Sequence, residues 1–156
     1  MRRMLTVVAL SVAAGLSPVA ARAQAPQQAA VLAVVKQFVD GFNKGDAKMW
    51  SAACADQVAI IDEFPPYEWH GAGACATWAA SYESDARKNA ITDGMVTIGT
   101  STHVEITGDR AYVVGPANYS YKKGGAPVKE VGSIFTVSLQ KAATGWRITG
   151  WAWAKH

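Results

Sequence analysis

The segment from Met95 to Ala154 reads MVTIGTSTHVEITGDRAYVVGPANYSYKKGGAPVKEVGSIFTVSLQKAATGWRITGWAWA, and apolar residues alternate with polar ones along most of it. Such alternation predicts β-strands that bury one face. Turn sequences divide the segment at Thr107-Gly108-Asp109, at residues 122–126 around Gly124-Gly125, and at residues 142–145. Short glycine-containing turns between consecutive strands indicate an antiparallel meander. The predicted strands span residues 95–106, 110–121, 128–140 and 146–154.

Ahead of these strands the apolar spacing is helical. One stripe comprises Val31, Val34, Val35, Phe38, Val39 and Phe42, and a second comprises Cys75, Trp78, Ala79, Tyr82 and Ala86. Gly45 ends the first helix, and Asp46 is placed to cap a second helix over residues 47–55. The third helix starts near Gly71. A short strand is predicted over residues 58–62, followed by a loop over residues 63–68 because two prolines there prevent regular pairing.

The first residues have the pattern of an export signal. Arg2 and Arg3 precede an uncharged apolar run from Leu5 to Leu16, and Ala21-Arg22-Ala23 supplies small residues for signal peptidase. The run is too short to span a bilayer, which argues against a membrane anchor. We therefore expect a signal peptide over residues 1–23, one domain over residues 24–156, and a periplasmic or secreted protein.

Removal of this signal also removes Arg2, Arg3 and Arg22, which leaves 12 basic residues against 12 acidic ones. A formally neutral domain without a long basic run disfavours nucleic acid and membrane surfaces as partners. The three histidines lack the spacing of metal ligands, so neither a metal nor a cofactor is expected. Cys54 and Cys75 either form a disulfide, which export permits and which we favour, or remain as buried free thiols.

The pattern resembles the SnoaL-like branch of the nuclear transport factor 2-like superfamily. The matching segments are FVDGFNKGD at 38–46, ADQVAIID at 55–62, His70-Gly71 ahead of the Trp78 helix, TGDRA at 107–111 and GWRI at 145–148. The resemblance implies an α+β cone with a cystatin-like fold, in which a curved antiparallel sheet wraps around three N-terminal helices. It also implies a homodimer that pairs through the outer face of the sheet. Members include isomerases, dehydratases, polyketide cyclases and binding modules, so the fold alone leaves the function open.

Asp62 and Tyr119 are the candidates for acid–base chemistry. Asp62 shares strand parity with Val58 and Ile60, which directs it inward, and an apolar pocket raises the pKa of a carboxyl group. In this hypothesis Asp62 acts as a general base, as a carboxylate does in ketosteroid isomerase, and Tyr119 donates a hydrogen bond to the oxyanion. The alternative is that Asp62 only ends the strand and binds backbone amides of the loop.

A cone pocket also requires walls. The candidate ligand-binding residues are Trp50, Tyr67, His70, Trp78, Tyr82 and Tyr121. Trp151 and Trp153 have the opposite parity to Trp146 and Ile148, so either a bulge at Gly150 returns them inward or they form an outer patch. We expect the outer patch, at a dimer interface.

Three functions remain open from the sequence. The first, which the aromatic content favours, is an exported domain that binds a small apolar or aromatic ligand in the cone. The second is a lyase or isomerase that moves a proton next to a carbonyl, with Asp62 as base and Tyr119 as oxyanion donor. The third is a dimerisation or assembly module whose cone is filled by its own side chains.

Overall fold

The computed structural model describes residues 18–156, which form helices and strands in an α+β arrangement. The helices are α1 (Pro18–Lys44), α2 (Ala47–Ser51) and α3 (Ala74–Lys88). The strands are β1 (Cys54–Ile61), β2 (Glu68–Ala72), β3 (Ile91–Ile98), β4 (His103–Thr107), β5 (Arg110–Lys123), β6 (Ala126–Ala142) and β7 (Gly145–Ala154). The predicted fold class is thus confirmed.

All seven strands belong to one curved sheet in the order β2-β1-β7-β6-β5-β3, with β4 also paired to β5. The meander β5-β6-β7 is antiparallel, as its glycine turns predict. The pair β1 and β7, by contrast, is parallel. The ends of this order, β2 and β3, are not paired with each other, so the sheet stays open as a cone.

The predicted helix boundaries depend on local chemistry that the structure confirms. Gly45 follows α1 with a positive φ of 64°, a conformation that suits glycine. Asp46 caps α2 by accepting a hydrogen bond from the backbone N of Met49 at 3.0 Å. α2 is shorter than the prediction over 47–55, because the backbone carbonyl of Ala53 already accepts a hydrogen bond from Ile148 of β7.

The single strand predicted over residues 95–106 is wrong, since the structure divides it into β3 and β4. Both pair with the same edge of β5, one after the other. Pro116 of β5 lies where they meet, and its carbonyl accepts from the backbone N of Gly99 at 2.8 Å. A proline has no N–H to return on that edge, so the ladder is interrupted there.

The sequence prediction also missed β2, which it placed in a loop. After the turn at Pro65-Pro66, the chain reverses and pairs antiparallel with β1, so that Trp69 lies opposite Ile60. The backbone N of Asp62 donates to the carbonyl of Tyr67 at 3.0 Å and closes this turn. Five residues that include a glycine are too few to show a strand periodicity.

A β-bulge overturns the prediction that Trp151 and Trp153 lie on the outer face. Ser138 pairs with Gly150 whereas Leu139 pairs with Ile148, so Thr149 is an extra residue in β7. An extra residue reverses the side-chain alternation beyond it. Both tryptophans therefore return to the inner face, and Trp151 is only 6% exposed.

α1 and α3 pack against the inner face of this sheet. The core between them includes Val31, Val35, Phe38, Trp78, Val137 and Ile148. The predicted disulfide is present and joins Cys54, at the start of β1, to Cys75 in the first turn of α3. The disulfide thus closes a loop of the chain that contains β1, β2 and the turn between them.

The predicted signal peptide over residues 1–23 falls outside the described residues, apart from its end, which from Pro18 is part of α1. Residues 24–28 are also helical and continue α1. Among the helices of residues 18–156, none is both long enough and apolar enough to cross a membrane.

Candidate functional site

A cavity of about 110 Å³ lies between α1, α3 and the inner face of the sheet. Ten of the 17 residues that line it are aromatic, so its walls are mainly rings. The cone is therefore not filled by its own side chains. This removes the basis for the hypothesis of a purely structural module with a plugged interior.

The helical wall consists of residues from successive turns of α1 and α3. Phe38 and Phe42 come from α1, and Trp78 and Tyr82 come from α3. The indole of Trp78 stacks on the ring of Tyr82 with centroids 6.0 Å apart, and Phe42 meets Tyr82 edge-on at 5.0 Å. These contacts hold the rings in place, because each aromatic side chain is supported by another.

The opposite wall comes from the sheet. Phe135, Trp151 and Trp153 line the cavity from β6 and β7, and Tyr119 and Tyr121 line it from β5. Trp151 crosses Trp78 at 89° with centroids 5.0 Å apart, which joins the two walls at a corner. The indole Nε1 of Trp151 is buried without a hydrogen-bond partner among the described residues.

Asp62 lines the cavity from the turn that follows β1. Its Oδ2 accepts a hydrogen bond from Trp78 Nε1 at 2.7 Å, and its Oδ1 accepts one from the backbone N of Glu63 at 2.8 Å. Burial raises the pKa of Asp62 to about 6, although these two hydrogen bonds act in the opposite direction. Asp62 thus has both roles weighed from the sequence, since it binds a loop amide and also presents a carboxyl group to the cavity.

The hydroxyls of Tyr82 and Tyr119 are hydrogen-bonded to each other at 2.7 Å on the cavity wall. In such a pair one hydroxyl donates to the other, and the second proton stays available to a ligand oxygen. Burial is the main cause that raises the pKa of both phenols, so they stay protonated donors at neutral pH. Gly94 of β3 backs the pair: a Cβ there would lie 2.5 Å from the Tyr82 hydroxyl.

A cluster of two glutamates, Glu63 and Glu130, lies at the edge of the cavity around Lys155. Lys155 Nζ lies 2.7 Å from Glu130 Oε1 and 3.4 Å from Glu63 Oε2, and Tyr121 donates to Glu130 Oε1 at 3.0 Å. Burial and the neighbouring charge of Glu130 raise the pKa of Glu63 to about 7. Hydrogen bonds from Lys155 and Tyr121 outweigh burial for Glu130 and lower its pKa.

Three candidate ligand-binding residues do not line the cavity. Trp50 is buried behind it, where α2 packs closely on Gly41 of α1, and its ring meets Trp78 edge-on. Tyr67 is 57% exposed in the β1–β2 turn. His70 follows the buried Trp69 in β2, and strand alternation therefore directs it outward.

Sequence reasoning missed Glu63, Glu130 and Lys155 at this site. Glu130 reaches the inner face through a second bulge: Ala117 pairs with Ser133 but Tyr119 pairs with Glu130, so β6 has an extra residue near Gly132. Gly132 has a positive φ of 82°, which is the available sequence signal for that bulge. Glu63 directly follows Asp62 in the chain, and it lines the cavity because the turn after β1 directs both side chains inward.

The α+β fold agrees with a sequence comparison. The profile of the SnoaL-like domain matches residues 31–152, which is most of the chain. The chain belongs to the SnoaL-like domain family. No curated protein matches this SnoaL-like domain in sequence.

Solved structures share the fold of this SnoaL-like domain at low sequence identity. A ketosteroid isomerase-like protein from Erwinia carotovora is 19% identical with a TM-score of 0.65, over 83% of this chain and 95% of its own. A nuclear transport factor 2-like protein with a cystatin-like fold from Novosphingobium aromaticivorans is 16% identical with a TM-score of 0.69, over 91% and 90%. A superfamily member from Salmonella enterica is 11% identical with a TM-score of 0.71, over 85% and 92%.

Proposed function

We propose that this SnoaL-like domain binds a compact, largely apolar molecule of about one ring in size. The observation that carries the proposal is the open, aromatic-walled cavity of about 110 Å³. An apolar cavity of about 150 Å³ accepts benzene, so the volume here suits a similar ring with part of the ligand in the opening. The free proton of the Tyr82–Tyr119 pair supplies one oriented polar contact.

Titration calorimetry with benzyl alcohol tests this proposal. For a ligand of this size we expect a Kd of about 1 mM or below. The variant Ala86→Phe introduces a ring at a residue of α3 that lines the cavity, and we expect it to abolish binding. Ala80→Phe is the matched control, because Ala80 is an exposed residue of the same helix that does not line the cavity. Equal binding by both variants would contradict the proposed site.

Proton transfer next to a carbonyl is the second candidate, and the position of Asp62 favours it. A carboxylate with a pKa of about 6 is a base near neutral pH, and it lines the same cavity as the Tyr82–Tyr119 hydroxyl pair. In the proposed reaction Asp62 takes a proton from the carbon next to the carbonyl. The hydroxyl pair then donates a hydrogen bond to the enolate oxygen.

Isomerisation of 3-cyclohexenone to 2-cyclohexenone, followed by NMR, measures this activity. Asp62→Asn is expected to abolish turnover while ketone binding persists. Tyr119→Phe is expected to lower the rate by about 100-fold, the usual effect of removing one oxyanion donor. Turnover that is unchanged in Asp62→Asn would assign the reaction to another group.

We also propose that the protein is exported and that two copies pair through the outer sheet face. The Cys54–Cys75 disulfide supports export, since such bonds persist in oxidising compartments. N-terminal sequencing of the mature protein is expected to start at Gln24. Pairing is supported by an uncharged row of neighbours across the outer face, formed by Val114, Thr136 and Ala152.

A further inference from the structure

The charged residues that line the cavity all have the same sign. Within residues 18–156 they are Asp62, Glu63 and Asp85, and no lysine, arginine or histidine lines the wall. An anionic ligand would meet only carboxyl groups there. A cationic ligand would find three of them around an apolar space.

The aromatic walls also favour a positively charged ligand. The face of an aromatic ring carries negative charge density, and it attracts a cation that lies within about 6 Å of its centre. Trp78 and Trp151 meet at a right angle with centroids 5.0 Å apart, and Phe38 lies 5.8 Å from Trp151. A cluster of rings from two walls is the arrangement that proteins use to hold ammonium groups.

The acidic groups also lack a cation of their own inside the cavity. Asp62 accepts only from the indole of Trp78 and a backbone amide, which are neutral donors. Glu63 has a cationic neighbour, Lys155, whose Nζ lies 3.4 Å from Glu63 Oε2 at the edge of the cavity. Burial without a charge partner is unfavourable for a carboxylate, so a ligand cation would stabilise the charged form of Asp62.

The chain itself shows that an ammonium fits at this edge. Lys155 reaches in from the end of β7, with its Nζ 2.7 Å from Glu130 and 3.4 Å from Glu63. Its side chain is 51% exposed and does not line the cavity. Lys155 is shared between Glu130 and Glu63, whereas Asp62 has no cationic partner among the described residues.

We propose that the ligand of this cavity is a compact organic cation, an ammonium group carried on one ring or a short apolar chain. This inference rests on the proposed binding function, since it names the class of ligand for the same cavity. The ring occupies the aromatic space, and the ammonium group donates to Asp62 and Glu63. Asp62 has no cationic partner among the described residues, so its charge makes the amine bind more tightly than a neutral molecule of the same shape.

Three probes of equal size separate the contributions: benzylamine, benzyl alcohol and benzoate, titrated calorimetrically at pH 7 in phosphate buffer, which contains no amine. Benzylamine is expected to bind at least about tenfold more tightly than benzyl alcohol, and benzoate is expected not to bind. Asp62→Asn is expected to remove most of the preference for benzylamine over benzyl alcohol. Asp56→Asn is the charge-matched control on an exposed residue of β1, and it should keep the full preference.

The outcomes distinguish this inference from the function on which it rests. If benzyl alcohol binds as tightly as benzylamine, or benzoate binds most tightly, the cationic ligand is ruled out while the binding cavity stands. If none of the three binds, both proposals fail. If Asp62→Asn does not fold, Glu63→Gln provides the second test. If both single variants fold and each keeps the full preference for benzylamine, the inference is also overturned.

Discussion

Burial of Asp62 makes its carboxylate a stronger base but lowers the stability of the folded protein at neutral pH. Burial in the apolar cavity raises the pKa of Asp62 to about 6 from its ordinary value of 3.8, so folding disfavours the charged form of this residue. A site that makes a carboxyl group reactive therefore weakens the fold at neutral pH. The groups that face it are the Trp78 indole, the backbone amide of Glu63, and the Tyr82 hydroxyl, which does not titrate in the relevant range.

This opposition predicts a pH-dependent difference between the wild type and Asp62→Asn. Between about pH 4 and pH 6 the folded state holds a proton that the unfolded state has lost, so the stability of the wild type falls as pH rises. Asparagine does not titrate. The free energy of unfolding of Asp62→Asn relative to the wild type should therefore increase by up to about 3 kcal/mol from pH 4 to pH 7.

Urea unfolding at several pH values measures this difference. Asp56→Asn serves as the reference, because Asp56 is an exposed residue of β1 and carries the same change of side chain. A flat profile for Asp62→Asn would mean that Asp62 titrates as an ordinary surface carboxylate.

Gly94 is a second residue whose role is specific to the site. Its missing side chain leaves room for the hydroxyls of Tyr82 and Tyr119, which would lie 2.5 and 2.8 Å from a Cβ. Gly94→Ala should push these flexible ring ends apart and break their hydrogen bond, at a modest cost in stability of about 1 kcal/mol. We expect affinity for benzyl alcohol to fall at least about fivefold, as measured by calorimetry.

Gly115→Ala is the comparison for this substitution. Gly115 lies in the neighbouring strand β5, where a Cβ would lie 3.3 Å from the nearest atom, in Ser101, away from the tyrosine pair. Loss of affinity in Gly115→Ala but not in Gly94→Ala would show that the hydroxyl pair does not contact the ligand.

Among the elements, β1 and α3 are joined by the Cys54–Cys75 disulfide. β1 leads into the turn that carries Asp62 and Glu63, and α3 supplies Trp78, which donates to Asp62. Opening a loop with a sequence separation of 21 is expected to lower the free energy of unfolding by roughly 3 kcal/mol. Chemical denaturation of the Cys54→Ala/Cys75→Ala double variant measures this loss.

Reduction of the wild type by dithiothreitol should reproduce the loss in the double variant and should have no effect on that variant. A double variant as stable as the oxidised wild type would show that packing of α3 alone holds the turn.

Sequence patterns predicted elements wherever alternation was unbroken. Tyr119 and Tyr121 line the cavity because β5 alternates regularly from Ala111 onward, as the sequence indicated. Trp151 and Glu130 could not be placed, since each lies beyond a bulge that reverses the faces of its strand. A bulge arises from pairing with a neighbouring strand, so one strand's own sequence does not fix it.

At the scale of the whole molecule, the helices of residues 18–156 cover one face of the sheet and leave the other face without a helix. α1 and α3 enclose the inner face, and the cavity lies beneath them. The outer face carries large exposed apolar side chains, among them Tyr112 at 45% and Ile134 at 39%. Exposed apolar side chains on an uncovered sheet are typical of an interface, which is the basis of the proposed homodimer.

Thr136→Arg tests the dimer at the centre of this face. Thr136 lies between Val114 of β5 and Ala152 of β7, so a charge there would be buried between two copies. We expect the wild type to show twice the chain mass in light scattering at micromolar concentration, and Thr136→Arg to weaken pairing on the order of 100-fold. Thr77→Arg, on the exposed side of α3, adds the same charge on the helical side and should leave the dimer intact. A wild type that is monomeric in light scattering would contradict the proposed homodimer. Because the cavity lies on the other side of the sheet, benzyl alcohol should bind the Thr136→Arg monomer as tightly as it binds the wild type.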